Sequence, residues 1–350
     1  MLSKVVWKVL TSTEIKEAYP LNDFWSSVVK KSKEEIKKIL SWVSDKKILI
    51  LWPCSADFED SLSEYAEFIS DLRKQYSDKI EIIMRYYTWK PRTVWGWKGI
   101  SNSEPWHTPD IWKGLIRSRE IAINLIENYW VPLADEMLHP QLTNKFNDIY
   151  SYLAIWARST ENQYHREVAS WLDIPVWFKN STSWDLDVMT NSIKAGQTPS
   201  TYVISNAIYD TLWNEISHWI LRGGRISWVN KSNYDIDSLK TTIELLLKKW
   251  IKNPWFIVDT NHENSNKKHD KQQTIMESVF DNLDELSKDW IDIDLFKWFM
   301  VESYLVEWNQ SYPSDWDESK IIKWCSLTDP CLSKEQTEKF VREMYNRLNK

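Results

Sequence analysis

Four residues scattered along the chain, Cys54, His262, Glu302 and Asp329, have the chemistry of a transition-metal site. A thiolate, an imidazole and two carboxylates suit a divalent Mn, Fe, Co or Zn ion. No local spacing motif joins them, so spacing alone also accommodates a buried cysteine, a capping aspartate and a surface glutamate. A second set is cationic. Arg85, Lys90, Arg92 and Lys98 lie close together, and Arg158, Lys179 and Arg222 stand apart from them. Arginine forks and lysine point charges are the usual means of holding phosphate and carboxylate. Cations that converge without local acids imply a doubly anionic substrate, although a solvated basic loop also explains the first cluster taken by itself.

Such residues need a scaffold that brings distant positions to one place. Nine apolar runs have strand character: 47–52, 79–87, 131–137, 151–157, 173–178, 200–205, 217–222, 255–260 and 295–302. Helical periodicity lies between most of them, and repeated βα units imply a parallel sheet. The expected fold class is α/β, a (β/α)8 TIM barrel. A closed barrel needs eight strands, so one of the nine is assigned to an inserted β-hairpin near residues 200–222. Cys54, Arg85, Glu136, Arg158, Lys179, Arg222, His262 and Glu302 all fall at the C-terminal ends of the runs. That end of a TIM barrel carries the active site. Two divisions are expected: an N-terminal extension over residues 1–45 and a catalytic barrel over residues 46–350.

At 350 residues the chain is long enough to bury one large core. A net charge of −6 argues against a nucleic-acid partner. No apolar run approaches the ~20 residues that span a bilayer, so no membrane role is expected. The first twenty residues lack the apolar core and cleavage site of a signal peptide, which makes the cytoplasm the expected compartment. Three cysteines, Cys54, Cys325 and Cys331, form no disulfide framework. The Asn180-Ser181-Thr182 glycosylation pattern is discounted without a secretion signal.

Ordered motifs sharpen this reading. PCS (53–55), RYYTWKPRT (85–93), GWKG (96–99), PLADEML (132–138), ARSTENQYHRE (157–167), FKN (178–180), LRGG (221–224), DTNHENS (259–265), MVESYLVEWNQ (300–310) and SLTDPC (326–331) follow one another. From about residue 40 to 335 they resemble the type I, microbial, metal-dependent 3-deoxy-D-arabino-heptulosonate-7-phosphate (DAHP) synthase family. The resemblance implies a transferase of the shikimate pathway that joins phosphoenolpyruvate to erythrose 4-phosphate and releases phosphate. It implies one divalent metal held by Cys54, His262, Glu302 and Asp329. Arg85, Lys90, Lys98, Glu136, Ala157, Arg158, Lys179 and Arg222 would line the phosphoenolpyruvate site. Lys90, Pro91, Arg92 and Thr93 would meet erythrose 4-phosphate. Lys90, Arg92, Cys54 and His262 are the residues expected to act in catalysis, with Lys90 or a water on the metal as candidates for activating the attacking water. An aromatic amino acid inhibitor and a homodimer or homotetramer, paired through residues 1–45, are further implications. Two departures are Asn261, where the family usually has Ser, and Tyr304, where His or Asn is common. A catalytically impaired barrel serving as a binding or regulatory module is the alternative, and another metal-dependent aldolase fits KPRT and LRGG less well.

One feature of the composition needs a separate cause: 24 Trp against 6 Gly. An ordinary chain is about 7% Gly. Trp52, Trp156, Trp177 and Trp308 stand inside family motifs where Gly is usual, and Trp42, Trp130, Trp171, Trp184, Trp213, Trp298 and Trp324 also fall at common Gly positions. Trp97 is a family Trp. Trp7, Trp25, Trp89, Trp95, Trp228, Trp250 and Trp255 are assigned neither to Gly nor to Trp by the family motifs. The expectation is a host that reads UGA as Gly, with UGA rendered here as Trp. A chain truly rich in Trp, using it as core or as stacking platforms, is the alternative.

Overall fold

The computed structural model describes residues 8–92, 96–105, 107–204, 207–311 and 317–349. Thr93, assigned above to the erythrose 4-phosphate site, lies outside the described residues.

Eight parallel strands close into a barrel. They are β1 (Lys47–Trp52), β2 (Ile80–Arg85), β3 (Leu133–Glu136), β4 (Tyr150–Ile155), β5 (Val176–Lys179), β8 (His218–Leu221), β11 (Phe256–Asp259) and β12 (Phe296–Glu302). Around the ring the order is β1-β12-β11-β8-β5-β4-β3-β2. The wall strands are buried almost throughout. Near-continuous apolar runs such as Ile48–Leu51 are what a sheet covered on both faces requires. The (β/α)8 expectation therefore holds.

Amphipathic helices cover the outside: α3 (Glu59–Tyr76), α4 (Ile111–Tyr129), α5 (Gln163–Trp171), α6 (Leu186–Gly196), α7 (Ile236–Lys248), α9 (Gln272–Lys288) and α10 (Lys334–Arg347). The third unit has only a 3-10 turn, Pro140–Lys145, between β3 and β4. Starts are set by side-chain caps. Asp110, Asn162, Asp185 and Asp235 each accept from a backbone N–H three residues on, and Ser333 with Gln336 forms a capping box.

The inserted hairpin is narrower than expected. It consists of β6 (Thr201–Ile204) and β7 (Ala207–Asp210), and the run at 217–222 belongs to the barrel wall between β5 and β11. Burial explains the difference: His218–Leu221 is fully buried, whereas Val203 and Ile208 on the hairpin are exposed. A second hairpin, β9 (Gly224–Ile226) with β10 (Val229–Lys231), rises directly after β8.

Before the barrel come α1 (Ser12–Ala18) and α2 (Asp23–Leu40). Val29, Ile36, Ile39 and Leu40 form the buried face of α2. Its polar residues bond to segments at the N-terminal end of the strands: Lys33 to the Asn147 carbonyl at 2.8 Å and Lys37 to Asp173 at 2.6 Å. Arg119 of α4 is fully buried and forks onto Asp148 at 2.9 and 2.6 Å, while its Nε donates to the Tyr19 carbonyl at 2.8 Å. The segment linking α1 and α2 is thereby tied to the end of the barrel opposite the strand C-termini.

Candidate active site at the C-terminal end of the barrel

The strand ends deliver the charged residues to one place. Arg85, Glu136, Lys179 and Glu302 are the last residues of β2, β3, β5 and β12. Cys54, Arg158, Arg222 and His262 follow β1, β4, β8 and β11 within three residues. Asp329 comes from the loop after β12. That loop folds back on itself through the Trp308–Cys331 and Asn309–Ser326 bridges, and the Asn309 amide donates to the Thr328 carbonyl at 2.7 Å.

Together these residues line a cavity of about 600 Å³. Its walls include Cys54, Arg85, Lys90, Pro91, Arg92, Glu136, Ala157, Arg158, Lys179, Arg222, His262, Glu302 and Asp329. Lys98 is not in the wall. Its side chain is exposed, and its carbonyl accepts from the Lys90 N–H at 2.8 Å. The sequence reading did not find Tyr87, Thr182, Ser183, Arg225, Glu263, Lys267 or Thr328, which also line it. Arg225 directly follows LRGG and Lys267 lies in the polar loop after His262, so both sat beside motifs already singled out.

Two electrostatic centres share the cavity. In the first, Glu136 takes Lys179 at 3.0 Å and Arg85 at 3.4 Å. Burial opposes ionisation of Glu136, but Lys179 and Arg85 overcome it and hold the carboxyl down to about 2. Lys179 is itself lowered by burial, partly offset by Glu136. Arg85 lies over the rings of Trp52 and Tyr87 at 4.2 and 4.1 Å. Its Nε, and Nη1 of Arg222, are buried donors with no partner among the described residues. Buried donors normally find acceptors, and an anion in the cavity would supply them.

In the second centre, donor atoms of Cys54, Glu302 and Asp329 lie within 4.8 Å of one another. The Cys54 sulfur accepts from Lys90 Nζ at 2.9 Å and donates to Asp329 Oδ2 at 3.3 Å. Burial pushes the thiol up to about 12, with Asp329 and Glu302 adding to the effect. Burial and Asp329 also raise Glu302. Asp329 is held below the usual range, where Lys90, Lys267 and His262 outweigh its burial. Three groups that ionise to anions thus crowd one point, which a divalent cation would relieve. The donor set fits a transition metal.

His262 lines the same cavity but is not in that close group. Its Nδ1 lies 2.7 Å from Asp259, an arrangement that leaves Nε2 to face a metal. His262 opens the single turn α8 (His262–Ser265), and its φ of 49° is a left-handed conformation uncommon for a non-glycine residue. The amide of Asn261 donates to Glu302, and Gln272 clamps the Glu302 backbone from both sides at 2.9 and 2.8 Å. Neither residue was singled out as part of the site from the sequence. Trp156 lines the cavity, whereas Trp52 and Trp177 are fully buried outside its walls.

A closed (β/α)8 barrel that gathers cations and a thiol–carboxylate donor set at its strand C-termini defines a class: metal-dependent enzymes acting on anionic substrates. The comparisons with known proteins narrow it. A family model described as the DAHP synthetase I family matches residues 29–342, and the chain belongs to that family. The Tyr-sensitive phospho-2-dehydro-3-deoxyheptonate aldolase of Escherichia coli K12 is 33% identical over 347 residues, covering 97% of this chain and 93% of the relative. A phenylalanine-inhibited aldolase of the same name from Saccharomyces cerevisiae is 31% identical, covering 93% of this chain and 87% of the relative. The solved phospho-2-dehydro-3-deoxyheptonate aldolase of Francisella tularensis SCHU S4 superposes with a TM-score of 0.88 at 29% identity, covering 98% of each chain.

Proposed function

We propose that this chain is a DAHP synthase, a transferase that condenses phosphoenolpyruvate with erythrose 4-phosphate and water to give DAHP and inorganic phosphate. The observation that carries the reading is the single cavity in which Arg85, Lys90, Arg158, Lys179 and Arg222 converge beside the Cys54–Glu302–Asp329 donor group. Two phosphorylated substrates bring several negative charges, and this pocket supplies the cations to hold them.

Arg158, Lys179 and Arg222 bind the enol phosphate, and the unpartnered Nε of Arg85 serves its carboxylate. Arg92 and Pro91, in the loop after β2, meet the aldose phosphate at the mouth of the cavity. Glu136 keeps Arg85 and Lys179 ionised and fixed in direction. Cys54, Glu302, Asp329 and His262 would hold one divalent cation, which supplies Lewis-acid polarisation of the aldehyde. The new bond joins C3 of the enol phosphate to the aldehyde carbon. Water then adds at C2, and phosphate leaves from that carbon to give the ketone. Lys90, whose ammonium already touches the Cys54 sulfur, is placed to exchange a proton with the nascent alkoxide.

The test is direct. Purified protein given Mn²⁺ and both substrates should consume phosphoenolpyruvate and release phosphate in equal amounts. A folded protein that releases none would favour a binding module.

Relatives named Tyr-sensitive, phenylalanine-inhibited and Trp-sensitive support an aromatic amino acid as inhibitor here. A homodimer or homotetramer paired through residues 1–45 fits the same regulation. Inhibition by Tyr, Phe and Trp in turn, with light scattering for mass, tests both.

A further inference from the structure

We infer that in its native host this protein carries glycine, not tryptophan, at nine positions: 42, 130, 184, 228, 250, 290, 298, 308 and 324. Among the described residues, fourteen non-glycine residues have positive φ, and nine of them are Trp42, Trp130, Trp184, Trp228, Trp250, Trp290, Trp298, Trp308 and Trp324. Trp makes up 24 of 350 residues, so about one such case in fourteen would be expected by chance. Positive φ favours glycine because a Cβ crowds the following carbonyl, and bulky side chains are the poorest occupants after β-branched ones.

The local geometry at six of these places is one that glycine normally serves. Trp42 follows the last turn of α2, and the Val43 N–H bonds back to the Lys38 carbonyl at 2.9 Å. Trp290 follows α9, with its own N–H on Ser287 at 3.2 Å and that of Ile291 on Leu286 at 3.3 Å. These are Schellman closures, whose left-handed residue is usually Gly. Trp130 and Trp250 occupy the left-handed position after α4 and α7. Ser227 and Trp228, with φ of 49° and 69°, form the two-residue loop between β9 and β10. A loop with both central residues at positive φ is a type I′ turn, which prefers Gly second. Trp298, with φ of 126°, lies within β12 where the register with β11 shifts.

A chain using Trp as core would bury these rings. Instead Trp228, Trp250 and Trp290 are 93%, 91% and 97% exposed. The buried indole N–H groups of Trp184 and Trp298 have no partner among the described residues, whereas that of Trp97, the Trp expected to be genuine, donates to the Ser103 carbonyl at 2.7 Å. Backbone angle thus selects Trp228, Trp250 and Trp290, which motif comparison did not reach. That one residue type takes nine of the fourteen non-glycine positions at positive φ points to a decoding rule, not to separate mutations. UGA, one base away from both UGG and GGA, is the codon that such a rule would reassign.

The gene provides the first test. UGA at all nine codons, with glycine in peptides from the native host, is the expected result, and UGG at these codons overturns the inference. Stability gives an independent measurement that folding failure does not confound. Trp290→Gly removes an exposed ring and no core contact, so Tm of the chain as printed should rise on the order of 2 °C. An unchanged or lower Tm would overturn the conformational argument. These outcomes do not depend on the catalytic reading, since neither measures activity.

Discussion

The sulfur of Cys54 stands between the Lys90 ammonium and the Asp329 carboxylate, and burial keeps the thiol protonated when nothing else compensates it. Binding a cation must therefore expel that proton, so metal affinity should rise with pH. Cys54→Ala should lose the bound metal, measured by elemental analysis of desalted protein, and turnover with it. Asn261 and Gln272 act one step further out, by orienting Glu302. Truncating either to Ala should weaken metal affinity about 10–100-fold while leaving the far-ultraviolet dichroism unchanged. Wild-type metal affinity in both would refute the orienting role. Glu136 gives a prediction about pH and stability. Its folded pKa of about 2 lies below its ordinary 4.5, so the unfolded chain binds the proton more readily. Its contribution is complete above about pH 4.5 and is lost as pH falls from there toward 2. Glu136→Gln should flatten that part of the stability profile in urea titrations, and an unaltered slope would contradict the account.

At the scale of elements, the β9–β10 hairpin carries Arg225 into the cavity wall, where it lies 3.9 Å from Glu263. Because Arg225 is half-exposed and outside the core, Arg225→Ala should raise KM for one of the phosphorylated substrates by about tenfold with Tm unchanged. A KM within twofold would remove it from the site. This hairpin also marks the limit of what the sequence could show. Its strands are three residues each and mostly exposed, so GRI and VNK carry no apolar alternation to detect. The barrel strands were legible because they are buried runs such as KILILW and FKWFMVE, with Cys54 two residues beyond the first and Glu302 closing the second. The hairpin at Thr201–Asp210 was legible as a strand but not in extent, because Val203 and Ile208 look like core residues and are exposed. Cys54, Glu302 and Asp329 were legible as metal donors by chemistry and family order. Their convergence was not, since it depends on barrel closure and on the folded-back loop after β12. Lys98 lies outside the cavity wall, and its carbonyl accepts from the Lys90 N–H, so its part in substrate binding stays an expectation from the sequence.

For the molecule as a whole, the segment before β1 and the cavity lie at opposite ends of one barrel. The extension before β1 is anchored at the strand N-termini by Arg119, whose guanidinium is buried against Asp148 and the Tyr19 carbonyl. Arg119→Ala should cost about 3 kcal/mol of stability, read from denaturant midpoints, because it removes the forked pair with Asp148 and leaves the Tyr19 and Lys145 carbonyls without their donor. It should not alter kcat, since it lies across the barrel from the cavity. The central claim concerns that cavity: its donor group binds one divalent ion that DAHP formation requires. Titrating Mn²⁺ into chelator-stripped protein while following phosphate release tests it most directly. Stripped protein should show no turnover and recover fully at one equivalent per chain, with no recovery in Cys54→Ala. Full turnover without metal, or recovery in the Cys54 variant, would contradict that claim.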